Sequence, residues 1–190
     1  MSAKKKIAIF ASGSGSNFEA IARACSQNRI NAEVALCVCD HPGAYVTERA
    51  RRMNIPVLEL HPKSFPSKQE YEKTILAQLE THGVEFICLA GYMRIIGETL
   101  LDVYEGRIVN IHPSLLPAFP GVDAIGQALN YGVKVFGVTV HFVDSTLDGG
   151  KIISQAAIPY DGSDREEIEA MVHAREHALY VSTLQHLLNH

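Results

Sequence analysis

Ile108-Val109-Asn110-Ile111-His112-Pro113-Ser114-Leu115-Leu116-Pro117-Ala118-Phe119-Pro120-Gly121 is the stretch from which the rest of this 190-residue chain can be read. Its first half has the composition of a short buried strand. Side chains alternate faces along a strand, so Asn110 and His112 project to one side while Val109 and Ile111 enter apolar surroundings on the other. Pro113 removes a backbone donor, and Pro117 and Pro120 keep the following segment extended and stiff. An amide and an imidazole are thereby expected side by side at the end of a strand, which is an arrangement for chemistry.

Upstream of this point, short apolar runs alternate with helical patterns. Ile7 to Ala11 stops at Ser12-Gly13-Ser14-Gly15-Ser16-Asn17, and a helix with Phe18, Ile21, Ala22 and Cys25 on one face follows. Val34 to Cys39 is a second strand, ending at Asp40 and a Pro42-Gly43 turn. A helix over Val46 to Met53, a strand over Val57 to Leu60 and an amphipathic helix over Gln69 to His82 come next, the last stopped by Gly83. Phe86 to Ala90 is the most apolar strand, and a helix over roughly Glu98 to Tyr104 leads to Ile108. Strands apolar on both faces and separated by helices imply an α/β fold, a mostly parallel sheet covered on both sides.

Downstream the pattern changes. After a helix over about Ile125 to Tyr131, the runs Val135 to Val143 and Lys151 to Ile158 are separated by only seven residues. That gap is too short for a helical crossover, so the two strands are expected to be antiparallel. Ser163-Asp164-Arg165-Glu166 fits a capping box for a final helix reaching Leu188. The whole of 1–190 is expected to form a single domain.

Composition removes several function classes. With 17 basic and 21 acidic side chains the net charge is -4, which argues against bulk binding to nucleic acid or to an anionic membrane. No apolar run reaches the roughly 18 residues of a membrane span and no secretory signal is evident, so a cytoplasmic location is expected. Cys25, Cys37, Cys39 and Cys88 have neither zinc-ligand spacing nor a C-x-x-C pair and read as reduced core residues. The nine histidines include no H-E-x-x-H, and no metal is expected; His173, His177 and His186 read as surface residues of the last helix.

Each candidate site residue also has a plain structural reading. Gly13 to Asn17 join a strand to a helix, where free N–H groups and the helix dipole favour an anion. Phe18 stands at the third glycine position of G-x-G-x-x-G, and no Lys-Ser/Thr pair follows, so a monophosphate fits better than a dinucleotide or triphosphate. Asp40 could still mimic the ribose-binding acid of a nicotinamide site, which keeps a dehydrogenase reading open. His141 reads either as a second site residue or as a hydrogen-bonded core histidine. Asp148, before two glycines, is a turn residue unless its loop folds over His112.

Asn110-Ile-His112-Pro-Ser-Leu-Leu-Pro-Ala-Phe-Pro-Gly121 resembles the signature of the folate-dependent glycinamide ribonucleotide formyltransferases of purine biosynthesis. The resemblance continues through Ala11–Asn17, Leu89-Ala-Gly-Tyr-Met-Arg94, Gly137–Val143, Leu147-Asp-Gly-Gly150 and Glu176-His-Ala-Leu-Tyr180. Methionyl-tRNA formyltransferases share Ser-Leu-Leu-Pro but usually continue into an arginine-glycine segment and a tRNA-binding domain. Formyltetrahydrofolate deformylases carry a second histidine where Pro113 stands. A non-catalytic ligand-binding module would have no need of Asn110, His112 and Asp148 together. Two positions depart from the family pattern: Lys68 stands where arginine is frequent, and Lys151 where proline is common.

The resemblance implies a Rossmann-like formyltransferase fold, with a phosphate-binding half over about 1–105 and a catalytic and folate-binding half over about 106–190. It implies formyl transfer from 10-formyltetrahydrofolate, a co-substrate, to phosphoribosylglycinamide by a monomer or homodimer. Asn110, His112 and Asp148 would be catalytic, with Asp148 orienting the His112 ring. Gly15, Ser16, Asn17 and Glu176 would hold the ribonucleotide. Lys68, Met93, Arg94, Ile95, Ile96, Asn110 and Asp144 would meet the folate.

Overall fold

The structure, a computed structural model, describes residues 3–189; Met1, Ser2 and His190 at the ends of the expected 1–190 domain lie outside the described residues. Seven strands form one sheet: β1 (Lys5–Ala11), β2 (Ala32–Cys39), β3 (Val57–Glu59), β4 (Phe86–Leu89), β5 (Ile108–His112), β6 (Val135–Phe142) and β7 (Ile152–Pro159). Their spatial order is β3-β2-β1-β4-β5-β6-β7. The first five pair in parallel, and β6 and β7 are antiparallel to their neighbours. The alternating apolar runs of the sequence translate directly into this sheet, including its antiparallel end. The chain winds outward from β1 in one direction and then restarts at β4 on the other side, so a crevice opens beyond the ends of β1 and β4.

One face of the sheet carries α1 (Ser16–Ser26), α2 (Tyr45–Arg52) and the end of α6 (Arg165–Leu188), packed on Ile7, Ile9, Cys37, Val109, Ile111 and Val140. The start of α6 and α5 (Ala124–Tyr131) cover β6 and β7 on that side through Phe136, Val138 and Ile158. The opposite face is covered by α3 (Lys68–Thr81) and α4 (Glu98–Leu101), packed on Ala8, Phe10, Val38, Ile87 and Ile108. This second cover ends at Ile108. The same face of β5 and β6 beyond that point presents Asn110, His112, Thr139 and His141, over which loops lie instead of a helix.

Several helical boundaries differ from the sequence reading by a residue or more, among them those of α4 and α6. α4 stops at Leu101 rather than near Tyr104, whose hydroxyl points inward and donates to the Val84 carbonyl at 3.0 Å. The N-cap of α6 is Asp164, not Ser163: its carboxylate accepts from Glu167 N at 3.1 Å while the Tyr160 hydroxyl holds its backbone from both sides. A 3-10 turn at Pro62–Ser64 precedes α3, which is capped by Ser67.

The proline-rich loop lies on the helix-free face of β6. Thr139 Oγ1 donates to Ser114 O at 2.7 Å and accepts from Leu116 N at 3.1 Å. Gln155, one strand further out, donates to both Leu116 O and Thr139 Oγ1. Leu115 occupies the space above Gly137, where an added Cβ would lie 2.4 Å from Leu115 Cδ2 and 2.6 Å from the Ala156 carbonyl oxygen. We expect Gly137→Ala to lower stability in urea unfolding by about 1–3 kcal/mol, the range for overfilling a packed site. It should also lower turnover, because the displaced loop is the one that anchors His112. Wild-type stability would show that Leu115 does not need this space.

Candidate active site

Residue alternation and antiparallel pairing build the site. Asn110 and His141 are directly opposite one another across β5 and β6, and His112 lies two residues along on the same face. Asn110 Nδ2 is 3.3 Å from His141 Nε2. His141 Nδ1 faces the Phe142 carbonyl at 2.8 Å, so Nδ1 is the protonated nitrogen and Nε2 accepts from the Asn110 amide. Burial pushes the His141 pKa below the usual 6.5, against the opposing pull of the Phe142 carbonyl and Asp148. His141 is thus the hydrogen-bonded core histidine of the two readings, and it stands beside Asn110. It is a buried strand histidine, and it fixes which end of Asn110 carries its donors.

His112 is 5% exposed, and its Nε2 donates to Phe119 O at 2.8 Å. Ser114 Oγ closes the same loop by donating to Ala118 O at 2.6 Å. With Nε2 held by the loop, Nδ1 is the nitrogen left to face Asp148, 3.5 Å from Oδ2. Asp148 Oδ2 also accepts from Gly121 N at 2.8 Å, and Oδ1 lies 3.8 Å from His141 Nε2. The loop after β6 therefore does fold over the His112 strand. Its carboxylate joins the two loops that cover the face, from a backbone conformation of φ 49° that aspartate tolerates better than most residues. Asp144, in the same loop, is exposed; Thr146 N and Oγ1 both donate to its Oδ1, and these bonds hold its carboxyl below the usual range.

The N-terminal loop is shaped by its carbonyls. Val46 N donates to Gly13 O, Arg49 Nε to Ser14 O and Glu19 N to Gly15 O. The first N–H groups of α1, beginning at Ser16 and Asn17, have no intrahelical acceptors. Gly15 has φ 76° and its missing Cβ would sit 2.9 Å from Val46 Cα, so this glycine serves the contact with α2 as well as the loop. Asn17 is 8% exposed. Its Nδ2 donates to Glu176 Oε2 at 3.3 Å, and its buried Oδ1 has no partner among the described residues. Glu176, 5% exposed, also accepts from His173 Nδ1 at 2.9 Å. His177 is half-buried, with a buried Nε2 that likewise lacks a partner among the described residues, which corrects its reading as a surface residue. The reason is local: His177 follows Glu176, which is buried against Asn17.

Beyond β4, the segment Met93 to Ile95 borders a cavity of about 690 Å³ lined also by Lys63, Phe65, Lys68 and Tyr71. Met93 and Ile95 are 73% and 61% exposed, whereas Ile96 is buried in the core, so its side chain is not available to a ligand. Lys68 is exposed, its Nζ 3.9 Å from Glu72, which in turn accepts from Gly97 N at 2.7 Å. Asp40, weighed as a ribose-binding acid, is instead engaged at both oxygens by Ser12 and Arg94. The described residues contain no group of three His, Cys, Asp or Glu side chains able to hold a metal, and no helix long and apolar enough to cross a membrane.

A family model described as formyl transferase matches residues 5–184. The chain belongs to the formyl transferase family. It is 54% identical over 185 residues to phosphoribosylglycinamide formyltransferase of Bacillus subtilis, covering 97% of this chain and 95% of that protein. Glycinamide ribonucleotide transformylase 1 of Geobacillus kaustophilus superposes with a TM-score of 0.95 at 53% identity, over 97% of this chain and 99% of the other. A trifunctional purine biosynthetic protein of Drosophila pseudoobscura is 42% identical over 92% of this chain, which spans only 13% of that longer protein. The resemblance carried by Asn110–Gly121 and its companion motifs is borne out, and with it the formyltransferase fold. Thr139, Gln155 and Gly137 were not singled out from the sequence, although Thr139 and Gln155 hold the loop that anchors His112.

The histidines separate electrostatically. The hydrogen bond that His173 donates to Glu176 raises its pKa above 6.5, while burial lowers those of His141 and His177. NMR titration of the imidazoles should therefore give a midpoint above 6.5 for His173 and below it for the other two. Glu176→Gln should bring the His173 midpoint down; an unmoved midpoint would contradict the His173–Glu176 pair.

Proposed function

We propose that this enzyme, one domain working in the cytoplasm, transfers the formyl group of 10-formyltetrahydrofolate to the amine of phosphoribosylglycinamide. The observation that carries the reading is the convergence of Asn110, His112 and Asp148 on a face of β5 and β6 covered by loops rather than helices. The amine attacks the formyl carbon and the carbonyl oxygen becomes an oxyanion. Asn110 has a second amide N–H beyond the one given to His141, and His112 Nδ1 is a further donor; both can stabilise that charge. Asp148 fixes the orientation of the His112 ring from 3.5 Å. A water held by the carboxylate carries the amine proton to the folate nitrogen as the carbon–nitrogen bond to the folate breaks. No covalent enzyme intermediate is required.

The ribonucleotide subsite uses the N-terminal half. Gly15, Ser16 and Asn17 offer backbone N–H groups to the phosphate, and the unpaired Asn17 Oδ1 and the Glu176 carboxylate suit the amine or the ribose hydroxyls. The co-substrate occupies the cavity beside Met93–Ile95. There Phe65 and Met93 offer apolar surface to a ring system, and Lys68 and Arg94 offer cations to the carboxylates of a glutamate tail. Asp144 keeps one carboxylate oxygen outside its turn for the pterin. These residues fit the co-substrate in chemistry and in size.

The direct test is formyl transfer from 10-formyltetrahydrofolate to phosphoribosylglycinamide by the purified protein, read as tetrahydrofolate release. Asp148→Asn keeps the turn and the Gly121 hydrogen bond but removes the charge, so kcat should fall by roughly 10²- to 10⁴-fold with little change in either Kd. His112→Ala should cut kcat by about 10²-fold or more. Near wild-type turnover in a folded Asp148→Asn protein would leave that residue as a turn aspartate and overturn its part in the mechanism.

A further inference from the structure

Asp40 follows β2, and neither the phosphate nor the formyl chemistry uses it. Its side chain is 9% exposed, and each of its oxygens is committed. Oδ1 accepts from Ser12 Oγ at 2.5 Å, and Ser12 Oγ in turn accepts from Met93 N at 2.9 Å. Oδ2 accepts from Arg94 Nε at 3.0 Å. Ser12 N adds a bond to Gly91 O at 3.0 Å. One carboxylate therefore ties together the ends of β1, β2 and β4, which flank the crevice where the strand order reverses.

The consequence for Met93 and Arg94 is specific. Ser12 Oγ accepts the Met93 N–H through a lone pair, and the donation of its own proton to Asp40 fixes where that oxygen sits. Arg94 spends Nε on Asp40 and lies 6.0 Å from the centre of the Tyr71 ring, whose hydroxyl is held 2.8 Å from that of Tyr92. Arg94 lines the cavity, and its side chain is 44% exposed there. Met93 and Ile95 are otherwise exposed, so little apolar contact holds this segment in place. The hydrogen bonds through Asp40 hold it instead, and they run through Ser12 into the loop that begins the phosphate subsite.

We propose that Asp40 is a positioning residue for the folate co-substrate: it holds Met93 and Arg94 at the edge of the cavity. The inference rests on the folate assignment of the cavity under the proposed function. An amide at this position has one acceptor oxygen in place of two and no charge for the Arg94 guanidinium, so it cannot hold Ser12 and Arg94 as the carboxylate does. Loss of a charged hydrogen bond of this kind is worth roughly 10- to 100-fold in binding.

Asp40→Asn should therefore raise the KM for 10-formyltetrahydrofolate and the Kd of tetrahydrofolate, measured by calorimetry, by roughly 10- to 100-fold. Saturating kcat and the KM for the ribonucleotide should each change less than about threefold. Ser12→Ala cuts the same link at the Met93 N–H, so the double variant should lose less than the product of the two single losses. If Asp40→Asn fails to fold in urea titration, Ser12→Ala alone carries the test by the same criteria. A folded variant with unchanged folate affinity, or with equal losses for both substrates, overturns the proposal. Wild-type protein that binds tetrahydrofolate without formyl transfer, and loses that binding on Asp40→Asn, retains the Asp40 role and removes the proposed reaction. Wild-type protein that fails to bind tetrahydrofolate overturns both.

Discussion

The strict alternation of side chains across β5 and β6 is the constraint on which the rest of this structure depends. On one face, Val109, Ile111 and Val140 enter the apolar core beneath α1 and α6. On the other, Asn110, His112, Thr139 and His141 form a contiguous polar surface. Buried polar groups need partners, and a helix laid over that surface could not satisfy four of them. Two loops with free backbone groups can. Thr139 binds the proline loop, His112 binds Phe119 O, and Asp148 binds Gly121 N. The antiparallel direction of β6 matters equally, because it sets His141 opposite Asn110 and returns the chain near His112 through the 144–150 loop.

The electrostatics of the site follow from that geometry. Asp148 lies between two imidazoles, 3.5 Å from one and 3.8 Å from the other. The two differ in what holds their remaining nitrogen. His141 is pinned inside the sheet, where burial favours its neutral form and makes it an acceptor for Asn110. His112 is fixed by a loop carbonyl and keeps Nδ1 toward the carboxylate. A single charge thus serves two histidines of opposite hydrogen-bonding character, and the amide beside them has a defined orientation.

Most of the scaffold was legible in the sequence, because apolar runs bounded by glycine and proline reflect burial on both faces of a parallel sheet. The shared face of Asn110 and His112 was legible for the same reason: period two leaves no alternative once the strand is recognised. The meeting of Asp148 with His112 was legible only through family resemblance, since a turn aspartate before two glycines looks alike wherever its loop goes. Thr139, Gln155 and Gly137 were invisible as loop supports. Each is an ordinary strand residue until Leu115 and Leu116 are laid against it. His177 was misread because polar spacing on a helix suggests solvent, whereas a buried Glu176 on α6 signals a polar contact with Asn17.

The four thiols give the sheet an internal clock. Cys88 sits on β4, flanked by Ile9 of β1 and Val109 of β5, and Cys37 on β2 is equally enclosed. Burial drives the Cys25 and Cys37 pKa values up to about 12, so at neutral pH these sulfurs are thiols without nucleophilic character. An alkylating reagent can therefore reach them only through molecules whose packing has transiently opened. The rate of modification at each sulfur measures the free energy of opening at its own depth, from Cys25 on α1 to Cys88 at the centre. The same seclusion shields the chain from oxidants while it stays folded.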